Sequence, residues 1–280
     1  GILHFNMFIK YNTIINGSSQ RDILVDTTLS KENSTNKVII FSHGFKGFKD
    51  WGPFNKIAEH FASIGFVFVK FNFSYNGTSI NKPSEFVDLE AFGNNNFCKE
   101  LDDLELVITW VKNNFYNSII TLFGHSRGGA ISIIKSAEDS RISNLVSWAS
   151  PSDLLVKLPV KDKANKWKES NIAYIYNART KQNMPIFYQF YENCLANKSR
   201  LDIEKVIRSV NIPHLHVHGD ADTTVLVEEA LNIKKWNPRI YLHIINNANH
   251  VFDGCHPYHL KSFPRDLNEA VNITKDFLEV

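Results

Sequence analysis

The chain has 280 residues and a formal net charge of +2, with 43% hydrophobic, 21% charged and 12% aromatic residues. These are the proportions of an ordinary globular protein, so disorder is excluded, and the length favours one large domain carrying a modest insertion. Lys and Arg are scattered rather than gathered into a stripe and no apolar run approaches a membrane span, so neither a nucleic-acid nor a membrane partner is expected.

Cys98, Cys194 and Cys255 lie far apart, without the spacing of a metal site or a disulfide framework. Residues 1–11 lack the basic start, apolar middle and small-residue cleavage site of a secretory signal. Free thiols, a cytoplasmic location and chemistry on small molecules without a metal or organic cofactor are the resulting expectations.

In chain order, "FNMFIKYNTII" and "RDILVDTTL", joined through Asn-Gly-Ser-Ser, predict an antiparallel pair of strands. "KVIIFS" is a short apolar run of the kind buried in a parallel sheet. Helical and strand periods then alternate: helix "FNKIAEHFASIG", strand "FVFVKFNF", helix "FCKELDDLELVITWVKNNF", strand "SIITLFG", a helix from Arg127 to about Asp139, and strand "NLVSWAS". This order predicts βαβ units, hence an α/β fold with a mostly parallel central sheet and helices on both faces. Between 151 and 210 the rhythm breaks into a segment rich in Lys and aromatics, with a hairpin strand "IAYIYNART", a helix "PIFYQFYENCLAN" and then "DIEKVIRSV". The alternation resumes with strand "HLHVHG", helix "TVLVEEALNIKKW", strand "IYLHII" and a last helix near "DLNEAVNITKDFLE". The expected organisation is a core made of 1–150 and 211–280, with 151–210 inserted as a cap.

Gly124-His125-Ser126-Arg127-Gly128 lies between a predicted strand and a predicted helix. A serine at the tip of so sharp a turn is exposed and strained, and glycine two positions away on each side lets strand and helix approach. The turn also leaves the Arg127 N–H at a helix start, aimed at any oxygen bound beside the serine hydroxyl. Neither this stretch nor "GFKGFKDWG" has the Gly-Lys-Ser/Thr ending of a phosphate loop.

A serine needs a base, and the base needs an orienting acid. Of 11 histidines, His43, His125, His216, His218 and His243 sit in or beside strands and read as core or turn residues, whereas His250 follows the last strand in the loop "NNANHVF". The acid is expected between serine and histidine in chain order. Asp222 in "HVHGDADTTV" is the first choice, with Asp220 and Asp153 as alternatives. A second oxyanion donor is expected in "FSHGFKGFKDWG", at the Phe45 N–H.

With Gly-His-Ser-Arg-Gly, His-Gly-Phe, His-Gly-Asp-Ala-Asp and Asn-His-Val-Phe in that order, the chain resembles an α/β-hydrolase from about residue 38 onward, the 151–210 segment excepted. Within that superfamily it is similar to the dienelactone hydrolase-like and cinnamoyl (feruloyl) esterase-like groups, although true dienelactone hydrolases carry cysteine where Ser126 stands. The resemblance implies Ser126 as nucleophile, Asp222 as acid, His250 as base, and the Phe45 and Arg127 amides as the oxyanion hole; it gives Asp253 no role. The implied reaction is hydrolysis of a small-to-medium carboxylic ester, an aromatic acyl group being one candidate. A non-catalytic small-molecule binder of the same fold, or a serine peptidase or thioesterase, are the alternatives. Trp167, Tyr174, Tyr176, Phe187, Tyr188, Phe190 and Tyr191 are available for a pocket wall or for the inserted segment's own core, and Arg127 and Arg179 could meet a substrate carboxylate.

Overall fold

A computed structural model describes residues 7–33 and 35–279. Its elements, in chain order, are β1 (Phe8–Ile15), β2 (Ile23–Ser30), β3 (Lys37–Ser42), α1 (Phe54–Ser63), β4 (Val67–Phe71), α2 (Leu89–Gly93), α3 (Phe97–Asn114), β5 (Ile119–His125), α4 (Arg127–Glu138) and β6 (Ile142–Trp148). There follow α5 (Asp162–Ser170), β7 (Ile172–Asn177), β8 (Gln182–Phe187), α6 (Gln189–Ala196), α7 (Ile203–Ser209), β9 (His214–Gly219), α8 (Val227–Trp236), β10 (Tyr241–Ile245) and α9 (Arg265–Glu279). The start of the first predicted strand, Phe5 and Asn6, lies outside the described residues.

Among the described residues the main sheet has eight strands in the order β1-β2-β4-β3-β5-β6-β9-β10. β1 and β2 pair antiparallel, β2 joins β4 antiparallel, and from β4 onward every pairing is parallel. The fold is therefore α/β with a mostly parallel sheet. Alternation along β3 shows how the sequence builds two layers: Val38 and Ile40 pack with Leu104, Val107 and Ile131 of α3 and α4, while Ile39 and Phe41 pack with Ile57, Phe61 and Val271 of α1 and α9. All these side chains are buried, each contributing about 1.5–3 kcal/mol by leaving water. Asn96 caps α3, its side chain accepting from the Lys99 N–H at 2.8 Å. No helix among the described residues is long and apolar enough to cross a membrane.

In the 151–210 segment, β7 and β8 form a separate two-stranded antiparallel sheet. The helix predicted for "PIFYQFYENCLAN" is corrected here: Pro185, Ile186 and Phe187 belong to β8, and the helix starts only at Gln189. Pairing of Ile172 with Phe187 and Ala173 with Ile186 outweighs the helical spacing of the apolar residues. Three helices, α2, α5 and α7, escape the sequence reading; α2 is one turn capped by Asp88, α5 buries only Ala164 and Trp167, and α7, in "DIEKVIRSV", is capped by Asp202.

One polar cluster is buried under the sheet's amino-terminal hairpin. Lys70 of β4 pairs with Asp26 of β2 at 2.6 Å and with Asp50, and Lys49 pairs with the same two carboxylates at 2.8 Å each. Lys70 and Lys49 are almost fully shielded from water, so each needs these partners. The cluster fastens the 43–52 loop to β2 and β4, helped by the Asn72 side chain, which accepts from the Lys49 N–H at 2.7 Å.

Candidate active site

β5 ends at His125, and the next residue, Ser126, has φ 56° and ψ −124°. Such a backbone costs about 1–3 kcal/mol and persists only where the surroundings impose it. They do: the Ser126 N–H donates to the Trp148 carbonyl at 2.8 Å, and α4 starts immediately. A Cβ on Gly124 would lie 2.2 Å from the Gly128 carbonyl oxygen, and one on Gly128 would lie 2.1 Å from that of Ser42. Both positions need glycine for steric reasons.

Ser126, Asp222 and His250 follow the carboxyl ends of β5, β9 and β10, and the structure brings them into one line. The Ser126 hydroxyl is 3.0 Å from His250 Nε2, and His250 Nδ1 is 2.7 Å from Asp222 Oδ2. With Nδ1–H donating to the carboxylate, Nε2 is left to accept the serine proton. Asp222 is buried, and its Oδ1 accepts the Thr224 and Val225 N–H groups at 2.8 and 2.9 Å. Burial alone would raise its pKa; the hydrogen bond and charge of His250 and the two amides outweigh that and hold it below the ordinary value.

The alternatives point elsewhere. Asp220 is exposed and accepts from the Asn247 N–H at 2.6 Å, and Asp153 is exposed and accepts from the Leu155 and Val156 N–H groups. Asp253 accepts from the Asn249 side chain at 2.9 Å.

The turn after β3 leans on the serine: a Cβ on Gly44 would come within 3.4 Å of Ser126 Cβ. That turn is closed by the Gly47 N–H donating to the Gly44 carbonyl at 3.1 Å. His43 braces it, its Nδ1–H donating to the Gly44 carbonyl at 2.8 Å while Nε2 accepts from the Phe73 N–H at 3.1 Å. Burial pushes the His43 pKa down to about 4, which keeps both bonds intact at neutral pH. Phe45 lines the same cavity as Ser126, and the Arg127 N–H, at the first position of α4, has no acceptor inside its helix.

The Arg127 side chain turns away from the cavity. Its guanidinium lies 4.1 Å from the Phe45 ring, 4.7 Å from Phe97 and 5.8 Å from Phe190, and Nη1 is 3.9 Å from Glu100 Oε1. Arg127 is thereby occupied within the fold, which answers the expectation that it could meet a substrate carboxylate. Arg179, by contrast, lines the cavity.

Sequence reasoning passed over the surroundings of Asp222 and His250. β9 places His214, His216 and His218 on one face, all buried. His218 Nε2–H donates to the Val225 carbonyl at 2.8 Å and lies 3.5 Å from Asp222 Oδ2, so its Nδ1 must accept. It accepts from His216 Nε2 at 3.0 Å; His216 Nδ1 in turn accepts from the Ser147 hydroxyl at 2.7 Å, and Ser147 accepts from His214 Nε2 at 2.7 Å. Each ring fixes the tautomer of the next, and burial depresses all three pKa values, that of His214 to about 3. His125, also buried, donates through Nε2 to the His250 carbonyl at 2.8 Å and supports the loop that carries the histidine. The i, i+2, i+4 spacing of the β9 histidines was the available signal.

A cavity of about 340 Å³ opens on Ser126 and His250. Its aromatic wall comes from Phe41, Phe45, Phe48, Trp51 and Phe54, and residues 177–179 at the β7–β8 turn reach it from the inserted segment. None of the seven aromatics proposed from that segment lines it. Trp167, Tyr188 and Tyr191 pack on one another, Phe190 packs on Phe97, Phe187 lies against Gly93, and Tyr174 and Tyr176 face solvent. A hairpin presents its tip, not its packed face, to the cavity.

Comparison with known proteins agrees with this architecture. A family model described as the alpha/beta hydrolase fold matches residues 37–175. Among solved structures, Est1E from Butyrivibrio proteoclasticus with ferulic acid bound is 18% identical, with a TM-score of 0.71 over 95% of this chain and 97% of that one. The Pyrococcus furiosus esterase Pf2001 is 18% identical, with a TM-score of 0.62 over 97% and 92% of the two chains. The esterase domain of a Rhodothermus marinus protein is 16% identical, with a TM-score of 0.61 over 88% and 91%. No match is found among curated proteins. By its sheet, its matched segment and these structural relatives, the chain has the α/β-hydrolase fold.

Proposed function

We propose that this protein is a serine ester hydrolase acting on small-to-medium acyl esters, aromatic acyl groups included. Ser126 Oγ attacks the acyl carbonyl while His250 Nε2 takes its proton, and Asp222 holds the imidazole in the tautomer that can do so. The Phe45 and Arg127 amides stabilise the tetrahedral oxyanion. His250 returns the proton to the departing alcohol, and water, deprotonated by the same histidine, then releases the acid from Ser126. Residues 151–210 act as a cap whose hairpin tip bounds the acyl site.

The observation that carries this reading is the continuous hydrogen-bonded line from Ser126 through His250 to Asp222, opening on a cavity of about 340 Å³. Support for an aromatic acyl group comes from the wall of Phe41, Phe45, Phe48, Trp51 and Phe54 and from the ferulic acid bound in Est1E. A fluorophosphonate probe should label Ser126, and short-chain and hydroxycinnamoyl esters should be turned over faster than long-chain ones. Ser126→Ala should abolish both labelling and turnover. A folded protein neither labelled at Ser126 nor active on any ester would refute the assignment.

A further inference from the structure

Charges around the cavity are unevenly matched. Lys46 and Arg179 both line it, and no Asp or Glu is among its lining residues. Other cations nearby have acids: Lys49 has Asp26 and Asp50, Lys70 has the same pair, and Arg127 has Glu100. Lys46 and Arg179 have no ion-pair partner among the described residues.

The backbone that carries each cation is nonetheless fixed. Arg179 sits at the β7–β8 turn, where the buried Asn177 side chain accepts from the Arg179 and Thr180 N–H groups at 3.1 and 3.3 Å. Gln182 ties the hairpin to the body through the Phe86 carbonyl at 3.0 Å. The guanidinium lies 5.6 Å from the ring of the fully buried Phe48, another cavity residue. Lys46, at φ 58°, is fixed in the turn that leans on Ser126, with its ammonium 6.0 Å from the Phe45 ring. Burial lowers the Arg179 pKa with no acid to oppose it, and after burial the Arg179 charge is the next cause of the lowered His256 pKa. The cavity thus presents an uncompensated positive end carried on two fixed turns.

We propose that the ester this site cleaves carries a carboxylate of its own, received by Arg179 with Lys46 contributing, while its acyl carbonyl lies at Ser126. The substrate class is a monoester of a dicarboxylic acid or an ester of a carboxylated aromatic acid. A carboxylate fits the planar guanidinium fork, and such charge-assisted bonds are about twice as strong as neutral ones. The inference rests on the ester-hydrolase reading of the same cavity.

The test compares mono-p-nitrophenyl glutarate with its neutral methyl diester, at low and high salt, for the parent, Arg179→Gln and Lys46→Gln. The expected parent preference for the charged ester is about tenfold or more in kcat/KM, carried by KM and reduced by salt. Arg179→Gln should remove most of that preference, Lys46→Gln part of it, and Arg179→Lys should retain more than the glutamine variant. Equal or better use of the neutral ester by the parent overturns the proposal, as does a charged-to-neutral ratio unmoved by Arg179→Gln. A phosphonate-bearing ester preferred over the carboxylate overturns the carboxylate assignment. Calorimetric titration of Ser126→Ala with monomethyl glutarate reads binding without turnover. Binding lost in the Ser126→Ala, Arg179→Gln double variant supports the anion site even if no ester is hydrolysed, and absence of binding in Ser126→Ala refutes it.

Discussion

Asp222 is distinguished from Asp220 and Asp153 by what each carboxylate touches: only Asp222 receives a His250 N–H. Asp222→Asn should therefore lower kcat by about three to four orders of magnitude with the fold intact, through the wrong imidazole tautomer. Asp220→Asn and Asp153→Asn should be mild, and steady-state kinetics on one ester ranks all three. His218 adds a less obvious residue. His218→Leu removes a donor beside Asp222 and leaves the Val225 carbonyl and the His216 N–H unpaired in the interior. A loss of about 1–3 kcal/mol in denaturant unfolding should result, with a fall in kcat as Asp222 loses its neighbour; unchanged unfolding would separate the histidine row from the site. Ser126 and His250 were legible in the sequence because a strand, a Gly-flanked turn and a helix leave few alternatives. Asp222 was legible only as one of three acids, since loop geometry decides which side chain turns inward. The β9 histidines read as ordinary core residues because each is unremarkable alone, and only their shared face makes a row.

At the level of elements, the parallel strands and long helices were legible from periodicity, since α3 and β3 must bury what they bury. The 151–210 segment was not: "PIF" could serve a helix or a strand, and the choice was made by β7 across the hairpin, a partner that local spacing does not reveal. α3 and α4 are joined by a second non-local feature, Glu100 against Arg127. Burial raises the Glu100 pKa from an ordinary 4.5 to about 7; the Arg127 charge and the Asn95 side chain oppose the rise, and Asp103 adds to it. Between those values the folded chain binds more protons than the unfolded one, so stability must fall as pH rises through the window. The full cost, complete above pH 7, is about 3 kcal/mol. Urea unfolding at pH 5 and pH 8 should show this difference, and Glu100→Gln should largely remove it while stabilising the protein at pH 8. A Glu100→Gln variant with the parent's pH dependence would place the titration elsewhere.

Across the whole molecule, the site depends on strands far from it in sequence. The buried cluster of Asp26, Lys49, Asp50 and Lys70 ties the amino-terminal hairpin to the loop that leans on Ser126. Lys70→Met leaves two shielded carboxylates with one cation between them and should destabilise the fold by about 3–5 kcal/mol in chemical denaturation. Asp26→Asn should act in the same direction by exposing the lysines to each other's charge. Little change in either variant would mean that water replaces the lost partner. The family match begins at residue 37, after β2 has ended. A trimmed protein that starts there would keep Ser126, Asp222, His250 and every cavity residue, and it would still strand Lys49 and Lys70 without one of their two counterions. The hairpin therefore sets the minimal working unit of this chain, and any shortened or circularly permuted version must carry β2 along, or supply another acid in the place of Asp26, before its turnover can be compared with that of the parent.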